Sequence, residues 1–347
     1  MKFKLLGKSG LRVSELCLGN MTFGTEWGFG TGKEESKKVF DAYVEAGGNF
    51  IDTANKYNEG TSEKYLAEFI GKERERFVIA TKYTLNMHGN DPNGGGNHRK
   101  NMMHSIDASL KRLKTDYIDL YWLHVWDYTT PIEEVLRGLD DLVKAGKINY
   151  IGISDAPAWV TARSNAIAEL RGWSQFIAIQ MKYSLFERSI EREFIPMAKE
   201  LNIGVTAWGV LNYGLLTGKY SVEDGKLLST DGSKRYAEEQ ASILDERKLT
   251  ILGEVKKIAE ETGMTMAQVA IAWVRGRGVM PIIGAKSEAQ LKENLKTLDF
   301  DLDSSHMDQL EAVSKIELGF PYDFANSDAI RKRIFGGSFD NIDKQSR

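Results

Sequence analysis

The sequence is poor in cysteine and in long apolar segments, and both shortages restrict what the protein can be. Cys17 is the only cysteine among 347 residues, so the chain cannot form an internal disulfide. We interpret Cys17, in the apolar stretch SELCLG, as a buried thiol in a reducing compartment. No stretch approaches the ~20 apolar residues of a membrane-spanning helix, and MKFKLLGKSG lacks the apolar segment of a signal peptide. We expect a cytoplasmic protein without a membrane partner.

The charges of the chain are nearly balanced. There are 46 Lys and Arg against 49 Asp and Glu, which gives a net charge of −3. No basic stripe interleaved with aromatic residues indicates a nucleic-acid surface. Two histidines, His88 and His98, share one long loop, but their spacing is not that of a metal site. We expect neither a nucleic-acid partner nor a bound metal.

The chain does contain a regular alternation of short apolar runs and longer amphipathic segments. FKLLGKSGLRVS, from residue 3 to 14, predicts an opening hairpin. About eight strand–helix units follow, at intervals of roughly 30 to 40 residues. Their strands are continuous apolar runs, as is typical of a parallel sheet that is buried on both faces. The order predicts a (β/α)8 TIM barrel with an N-terminal β-hairpin and a C-terminal loop tail, in one domain covering residues 1–347.

A doubly wound sheet is the alternative architecture. Its dinucleotide site would need a glycine-rich turn directly after an early strand. GFGTGK (28–33) superficially resembles that turn, but it follows NMTFGTEW and not a strand end. No acidic partner for a ribose is evident after a second strand, so the barrel is favoured.

Four polar residues stand at or just beyond the ends of successive predicted strands. Asp52 ends the second, Lys82 the third and His124 the fourth, while Tyr57 lies on the loop after the second. Because the C-terminal ends of barrel strands share one rim, these side chains should converge. Each alone could have a structural role, as a solvated lysine, a turn-forming aspartate, a core histidine or a packed tyrosine. Together they favour a site.

This set of groups fits one kind of chemistry. An ammonium beside a phenol is expected to lower the phenol's pKa from ~10, so Tyr57 could deliver a proton near neutral pH. His124 could donate a hydrogen bond to a carbonyl oxygen and orient it. None of the four side chains can supply two electrons, so a cofactor must carry the hydride.

Several stretches resemble the aldo-keto reductase superfamily, among them NFIDTANKYNEGTSE, FVIATK, DYIDLYWLH, IQMKYSLFER, GLLTGKY and PIIGAKSEAQLKENL. The likeness runs from about residue 3 to about residue 315. It implies a barrel that binds NADPH (NADP+) without a Rossmann fold and reduces a small-molecule aldehyde or ketone reversibly. Tyr57 would then be the general acid in reduction and the base in oxidation. Lys82 and Asp52 would tune it, and His124 would position the carbonyl.

The same resemblance implies a set of cofactor-binding residues. The nicotinamide end would be held by Ser154, Asp155, Gln180 and the stacking ring of Trp208. The pyrophosphate would be held by Gly209, Leu211, Gly218 and Lys219. The adenosine end would be held by Gly284, Lys286, Ser287, Gln290, Glu293 and Asn294. Lys286 at a 2′-phosphate favours NADPH over NADH, but Gln290 stands where many members have Arg, so the preference is expected to be moderate.

The substrate pocket is expected to be aromatic. Trp27, in the loop GTEWGFGTG, and Trp126, just past His124, would line it, and residues 316–347 would form a tail over the active-site region. Two other functions remain open. One is a cofactor-binding regulatory subunit without strong turnover, and the other is a barrel hydrolase or isomerase that uses Asp52 and His124 without a nucleotide.

Overall fold

The chain opens with an antiparallel hairpin of β1 (Phe3–Leu5) and β2 (Arg12–Ser14), as the sequence predicts. Its turn contains the fully buried Leu6 and Gly7, where an added Cβ atom would collide with the carbonyl oxygen of Ile177. Because Ile177 lies near the start of a barrel strand, the hairpin covers the mouth formed by the strand N-termini. The other mouth, where the strands end, is left for the site.

Eight parallel strands close into a barrel in this computed structural model, which describes residues 1–223, 226–229 and 243–342. The further strands, in chain order, are β3 (Cys17–Gly19), β4 (Phe50–Asp52), β5 (Val78–Tyr83), β6 (Ile118–Leu123), β7 (Ile148–Ser154), β8 (Phe176–Lys182), β9 (Gly204–Trp208), β10 (Tyr220–Glu223), β11 (Lys226–Ser229) and β12 (Met280–Ile283). Strands β3 to β9 follow one another around the barrel, and β12 pairs with both β9 and β3 to close it. The predicted fold is therefore confirmed.

Large side chains fill the interior of the barrel. Phe50, Leu120 and Trp122 are fully buried there. Gly152 on β7 faces Trp122, and a Cβ atom at this position would collide with the indole. Only glycine fits beside this tryptophan, so the barrel is a packed core below its open end.

Helices surround the barrel. They are α1 (Lys33–Glu45), α2 (Thr61–Ile70), α3 (Arg99–Leu113), α4 (Ile132–Lys144), α5 (Ala158–Arg171), α6 (Phe194–Glu200), α7 (Glu246–Thr262), α8 (Met266–Gly276), α9 (Glu288–Leu295) and α10 (Ser304–Ser314). Helix α4 shows why they form: Val135, Leu139 and Leu142 are buried at helical spacing, while the opposite face is polar.

Two regions differ from the expected loops. Strands β10 and β11 form a separate antiparallel hairpin within the long glycine-containing segment after β9. The C-terminal tail contains two short helices, α11 (Tyr322–Asn326) and α12 (Asp328–Phe335). Residues 343–347 of the predicted tail lie outside the described part of the chain.

The tail is attached to the segment that precedes α6. The Arg192 guanidinium donates to the carbonyl oxygen of Glu317 at 3.1 Å, and the Tyr322 hydroxyl donates to Glu193 Oε1 at 2.7 Å. That segment connects the end of β8 to α6, and Glu191 within it lies 3.6 Å from Arg277, which precedes β12.

Three features are absent from the described residues: a membrane-spanning helix, a cluster of metal ligands and the glycine-rich turn of a doubly wound sheet. Across those ranges, no helix is both long and apolar enough to cross a membrane. Within the same ranges, no three His, Cys, Asp or Glu side chains are grouped so that they could hold a metal ion. The glycines of 28–33 follow a loop and not a strand end, so they do not form the turn of a doubly wound sheet.

Candidate active site

A buried ion pair joins the ends of β4 and β5. The Lys82 ammonium donates to Asp52 Oδ2 and, at 2.7 Å, to the carbonyl oxygen of Thr53. Lys82 is fully buried and Asp52 is 2% exposed. The other carboxylate oxygen of Asp52 accepts a 2.9 Å hydrogen bond from the Gln180 side-chain amide on β8. Both charges thus have several polar partners, which a buried ion pair needs in order to be stable.

The phenol of Tyr57 lies beside the same ammonium. Lys82 Nζ is 3.2 Å from the Tyr57 hydroxyl and 4.7 Å from the centroid of its ring. The His124 ring packs edge-on against Tyr57, with the ring centroids 6.0 Å apart. The structure therefore brings together Asp52, Tyr57, Lys82 and His124, the four side chains predicted at the strand ends.

Burial dominates the protonation of this site. It raises the pKa of Tyr57 above 10.0, and the Lys82 ammonium offsets this effect only in part. The expectation of a lowered pKa is therefore wrong in direction, because desolvation of a phenolate outweighs the attraction of one cation. Burial, aided by Lys82, lowers the pKa of His124 to about 3. Burial also opposes the charge on Lys82, but the Asp52 carboxylate and Tyr57 raise the pKa of Lys82 above 10.5.

The turn that carries Tyr57 is fixed by the buried side chain of Asn58. The φ angle of Asn58 is 46°, in the left-handed region that asparagine tolerates. Its amide donates to the carbonyl oxygens of Met21 (3.0 Å) and Phe23 (3.2 Å), and its Oδ1 accepts from the backbone N–H of Trp27 (3.2 Å). The loop after β3 is thus joined to the turn that presents the phenol.

The two tryptophans predicted for the substrate pocket differ in position. Trp27 stands edge-on to Tyr57, with ring centroids 6.0 Å apart, and its indole N–H donates to Glu59 Oε1 at 3.1 Å. Trp126 is 7% exposed, and its backbone N–H donates to the carbonyl oxygen of Asp155 at 3.3 Å. Trp27 therefore forms a wall beside the phenol, whereas Trp126 offers little surface to a ligand.

The residues predicted for the nicotinamide end lie at the ends of β7, β8 and β9. Ser154 is 1% exposed, and among the described residues its hydroxyl has no hydrogen-bond partner. The Trp208 indole N–H donates to Asp155 Oδ1 at 3.0 Å, and burial raises the pKa of Asp155. The Gln180 amide is turned toward Asp52. Ser154 offers a donor and Asp155 an acceptor, which is the pair that a carboxamide requires.

The residues predicted for the pyrophosphate follow β9. Gly209 and Gly218 have φ angles of 71° and 77°, which side-chain-bearing residues rarely adopt. Leu211 precedes a short helical turn, Asn212–Thr217. The Lys219 ammonium lies 5.2 Å from the ring centroid of Tyr220. All four predicted residues therefore belong to one segment at the rim, next to Trp208.

The residues predicted for the 2′-phosphate surround the N-terminus of α9. Ser287 caps the helix, its Oγ accepting from the Gln290 N–H at 3.3 Å, and the Gln290 side-chain oxygen accepts from the Lys286 N–H at 2.9 Å. Glu35 of α1 reaches the same helix end, where its Oε1 accepts from the Glu288 N–H at 2.9 Å. A carboxylate at this position was not anticipated, and it opposes a phosphate.

The residues predicted for the adenine lie along α9 and before it. The Glu293 carboxylate accepts from the Gln268 amide (2.8 Å) and pairs with Lys296 (2.7 Å). Asn294 is buried, and Gly284, which follows β12, is exposed. The strand that precedes these residues lies two strands from Asp52, since β12 pairs with β3 and β3 pairs with β4.

Besides Glu35, sequence reasoning missed two residues near the ion pair and Trp208. Lys182 ends β8, with its ammonium 5.7 Å from the ring centroid of Trp208. The two-residue period of the strand, counted from Gln180, could have found it. Asn58 could have been noticed because asparagine favours left-handed turns.

The chain is similar over most of its length to named reductases and dehydrogenases. It is 37% identical over 329 residues to a norsolorinic acid reductase of Emericella nidulans, covering 91% of this chain and 82% of that protein. It is 36% identical over 330 residues to an NADP(+) aryl-alcohol dehydrogenase of Phanerodontia chrysosporium, covering 90% and 86%. It is 35% identical over 336 residues to an aryl-alcohol dehydrogenase of Pestalotiopsis microspora, covering 93% and 85%. Residues 15–315 match the model of the Aldo/keto reductase family, so the chain belongs to that family of NAD(P)H-dependent oxidoreductases.

Proposed function

We propose that the protein reduces an aldehyde or ketone to an alcohol with NADPH, reversibly, and that Tyr57 is the general acid and base. The observation that supports this most is the 3.2 Å contact between Lys82 and the Tyr57 hydroxyl, within a buried network that includes Asp52. A neutral phenol held in this way can donate its proton as negative charge develops on a carbonyl oxygen. When bound, the nicotinamide would supply the hydride.

The other groups of the site have supporting roles. His124 is neutral, so it would donate one hydrogen bond to the carbonyl oxygen without competing for the proton. Lys82 would stabilise the phenolate that remains after transfer, and Asp52 would keep Lys82 charged and in place. Ser154, Asp155 and Gln180 would hold the carboxamide, and Trp208 would support the nicotinamide ring.

Further residues are proposed to bind the parts of the cofactor beyond the nicotinamide. Gly209, Leu211, Gly218 and Lys219 would bind the pyrophosphate. Gly284, Lys286, Ser287, Gln290, Glu293 and Asn294 would bind the adenosine end. Residues 1–347 would form one domain whose tail, 316–347, covers the active-site region. A cytoplasmic location stays a prediction.

The substrate class is proposed to be aromatic carbonyl compounds. Trp27 presents an aromatic wall beside Tyr57, and the relatives named above act on aryl alcohols or on norsolorinic acid. The test is loss of NADPH absorbance with a panel of benzaldehydes and of short aliphatic aldehydes. Faster turnover of the benzaldehydes supports the proposal. Tight NADPH binding without turnover of any aldehyde would favour the regulatory-subunit alternative.

The rate of reduction is expected to be independent of pH from roughly pH 6 to roughly pH 9, because the acid form of Tyr57 persists below its raised pKa. Above that range reduction should slow as the phenol ionises, and alcohol oxidation should accelerate because the phenolate is the base. Since the pKa of His124 is about 3, no inflection is expected near pH 6.5. The measurement is kcat/KM in both directions at constant ionic strength. An inflection near neutrality that disappears in His124→Gln would contradict the assignment.

Replacing Lys286 by Ala is expected to raise the Kd of NADPH about tenfold and that of NADH less than about twofold, because only NADPH carries the 2′-phosphate. Glu35→Gln should act in the opposite sense and tighten NADPH, since it removes a negative charge from the same helix end. Both constants can be measured by quenching of tryptophan fluorescence. Lys256→Ala, at a 69% exposed side chain on α7, is the control. If Lys286→Ala raised the Kd of NADPH and the Kd of NADH by the same factor, Lys286 would not contact the 2′-phosphate.

A further inference from the structure

In the part of the chain that the structure describes, no carboxylate oxygen lies within 4 Å of the ammonium of Lys182, which ends β8; the charge of Lys182 acts on the Asp155 carboxylate from farther away. Lys182 projects from the same face of the strand as Gln180, roughly 7 Å nearer the open mouth. Its ammonium lies 5.7 Å from the ring centroid of Trp208 and 5.6 Å from that of Tyr213. Such contacts stabilise an ammonium only modestly, so it can still attract an anion.

The space around Lys182 is open enough for a ligand group. A cavity of about 280 Å³ is bordered by Lys182, Asn212 and Tyr213. The stem of Lys182 lies over Gly209, where an added Cβ atom would be 3.4 Å from Lys182 Cγ. This is an ordinary van der Waals distance, so the lysine stem packs against the segment that follows β9.

The other charged groups at this cavity are engaged. Lys248, on the cavity wall, pairs with Asp245 at 3.2 Å. Glu187, also on the wall, accepts a hydrogen bond from the Ser189 N–H at 3.0 Å. Of the two lysines that border the cavity, Lys182 is thus the one whose ammonium has no carboxylate oxygen within 4 Å among the described residues.

We propose that Lys182 forms an anion-binding subsite beside Trp208, for the phosphate or carboxylate of a ligand whose flat ring lies against that indole. The proposal rests on the proposed function. Two ligands share this chemistry: a nicotinamide dinucleotide, through its pyrophosphate, and an aromatic aldehyde that bears a carboxylate. In either case the ring would contact Trp208 and the oxyanion would accept hydrogen bonds from the ammonium.

The test compares Lys182→Met, Lys182→Glu and Lys182→Arg with Lys199→Met, an exposed lysine of α6, as the control. If the anion is a phosphate, Kd for NADPH should rise about tenfold in Lys182→Met and more in Lys182→Glu, but little in Lys182→Arg. Kd for reduced nicotinamide riboside, which has no phosphate, should stay unchanged. If the anion is a substrate carboxylate, NADPH binding should not change. In that case kcat/KM for para-carboxybenzaldehyde should fall about tenfold relative to benzaldehyde.

One result overturns the subsite. It is a Lys182→Glu variant that has the thermal midpoint of the wild type and in which two quantities stay within about twofold of the wild type: the Kd of NADPH, and kcat/KM for para-carboxybenzaldehyde relative to benzaldehyde. The NADPH titration needs no turnover. Failure of the protein to reduce any aldehyde would therefore remove the proposed function and still leave the phosphate arm readable.

Discussion

Replacing Tyr57 by Phe is expected to lower the rate of aldehyde reduction by about 10² to 10⁴-fold, the usual contribution of a general acid. The physical reason is that the variant removes the hydroxyl, which is the proposed proton donor, and keeps the ring. Phe retains the edge contacts with Trp27 and His124, and Lys82 retains its bonds to Asp52 and Thr53. Binding of NADPH should therefore stay within about twofold of the wild type.

The measurement is single-turnover reduction of benzaldehyde with NADPH in excess, together with Kd from fluorescence. Tyr65→Phe, which removes a phenol on α2 whose ring lies near Phe69, serves as the matched control. A Tyr57→Phe protein that keeps most of its rate would show that another group delivers the proton.

Replacing Lys82 by Met is expected to lower the rate of reduction about as much as Tyr57→Phe does. It should also destabilise the fold by about 3–5 kcal/mol, the usual cost of leaving one buried charge without its partner. Asp52 is 2% exposed, and within the described ranges its side chain would keep one direct partner, the Gln180 amide. The free energy of unfolding can be measured by urea denaturation at pH 7.

The double variant Asp52→Asn/Lys82→Met separates the two effects. Removing both charges should restore most of the lost stability, because no unpaired charge is then buried. Activity should stay low, because the phenolate that forms after proton transfer has no cation beside it. Recovery of activity together with stability would mean that Lys82 acts only through the fold.

The fold and the four central residues could be predicted from the sequence because both depend on order along the chain. The apolar runs of β5 and β6 mark buried strands; Lys82 lies one residue before the end of β5, and His124 directly follows β6. In a closed parallel barrel, neighbouring strands end side by side. Convergence of the side chains therefore followed from topology alone.

Protonation and contacts across the barrel could not be predicted in this way. The pKa of Tyr57 depends on how completely the phenol is enclosed, and the sequence does not report enclosure, so the direction was wrong. The contact of Gln180 with Asp52 spans strands 128 positions apart in the chain. Glu35 reaches α9 across 253 positions. The β10–β11 hairpin, in contrast, left a local signal in the sequence, an Asp-Gly dipeptide between its strands.

The attachment of the Trp27 loop to Asn58 and Glu59 has a consequence for protein engineering. These anchors lie one and two residues after Tyr57, so the loop and the reactive phenol form a single mechanical unit. Exchanging this loop for that of a relative would move the phenol as well as reshape the pocket. Efforts to widen the range of accepted compounds should therefore begin on other walls, and transplant the loop only together with the turn of residues 57–59.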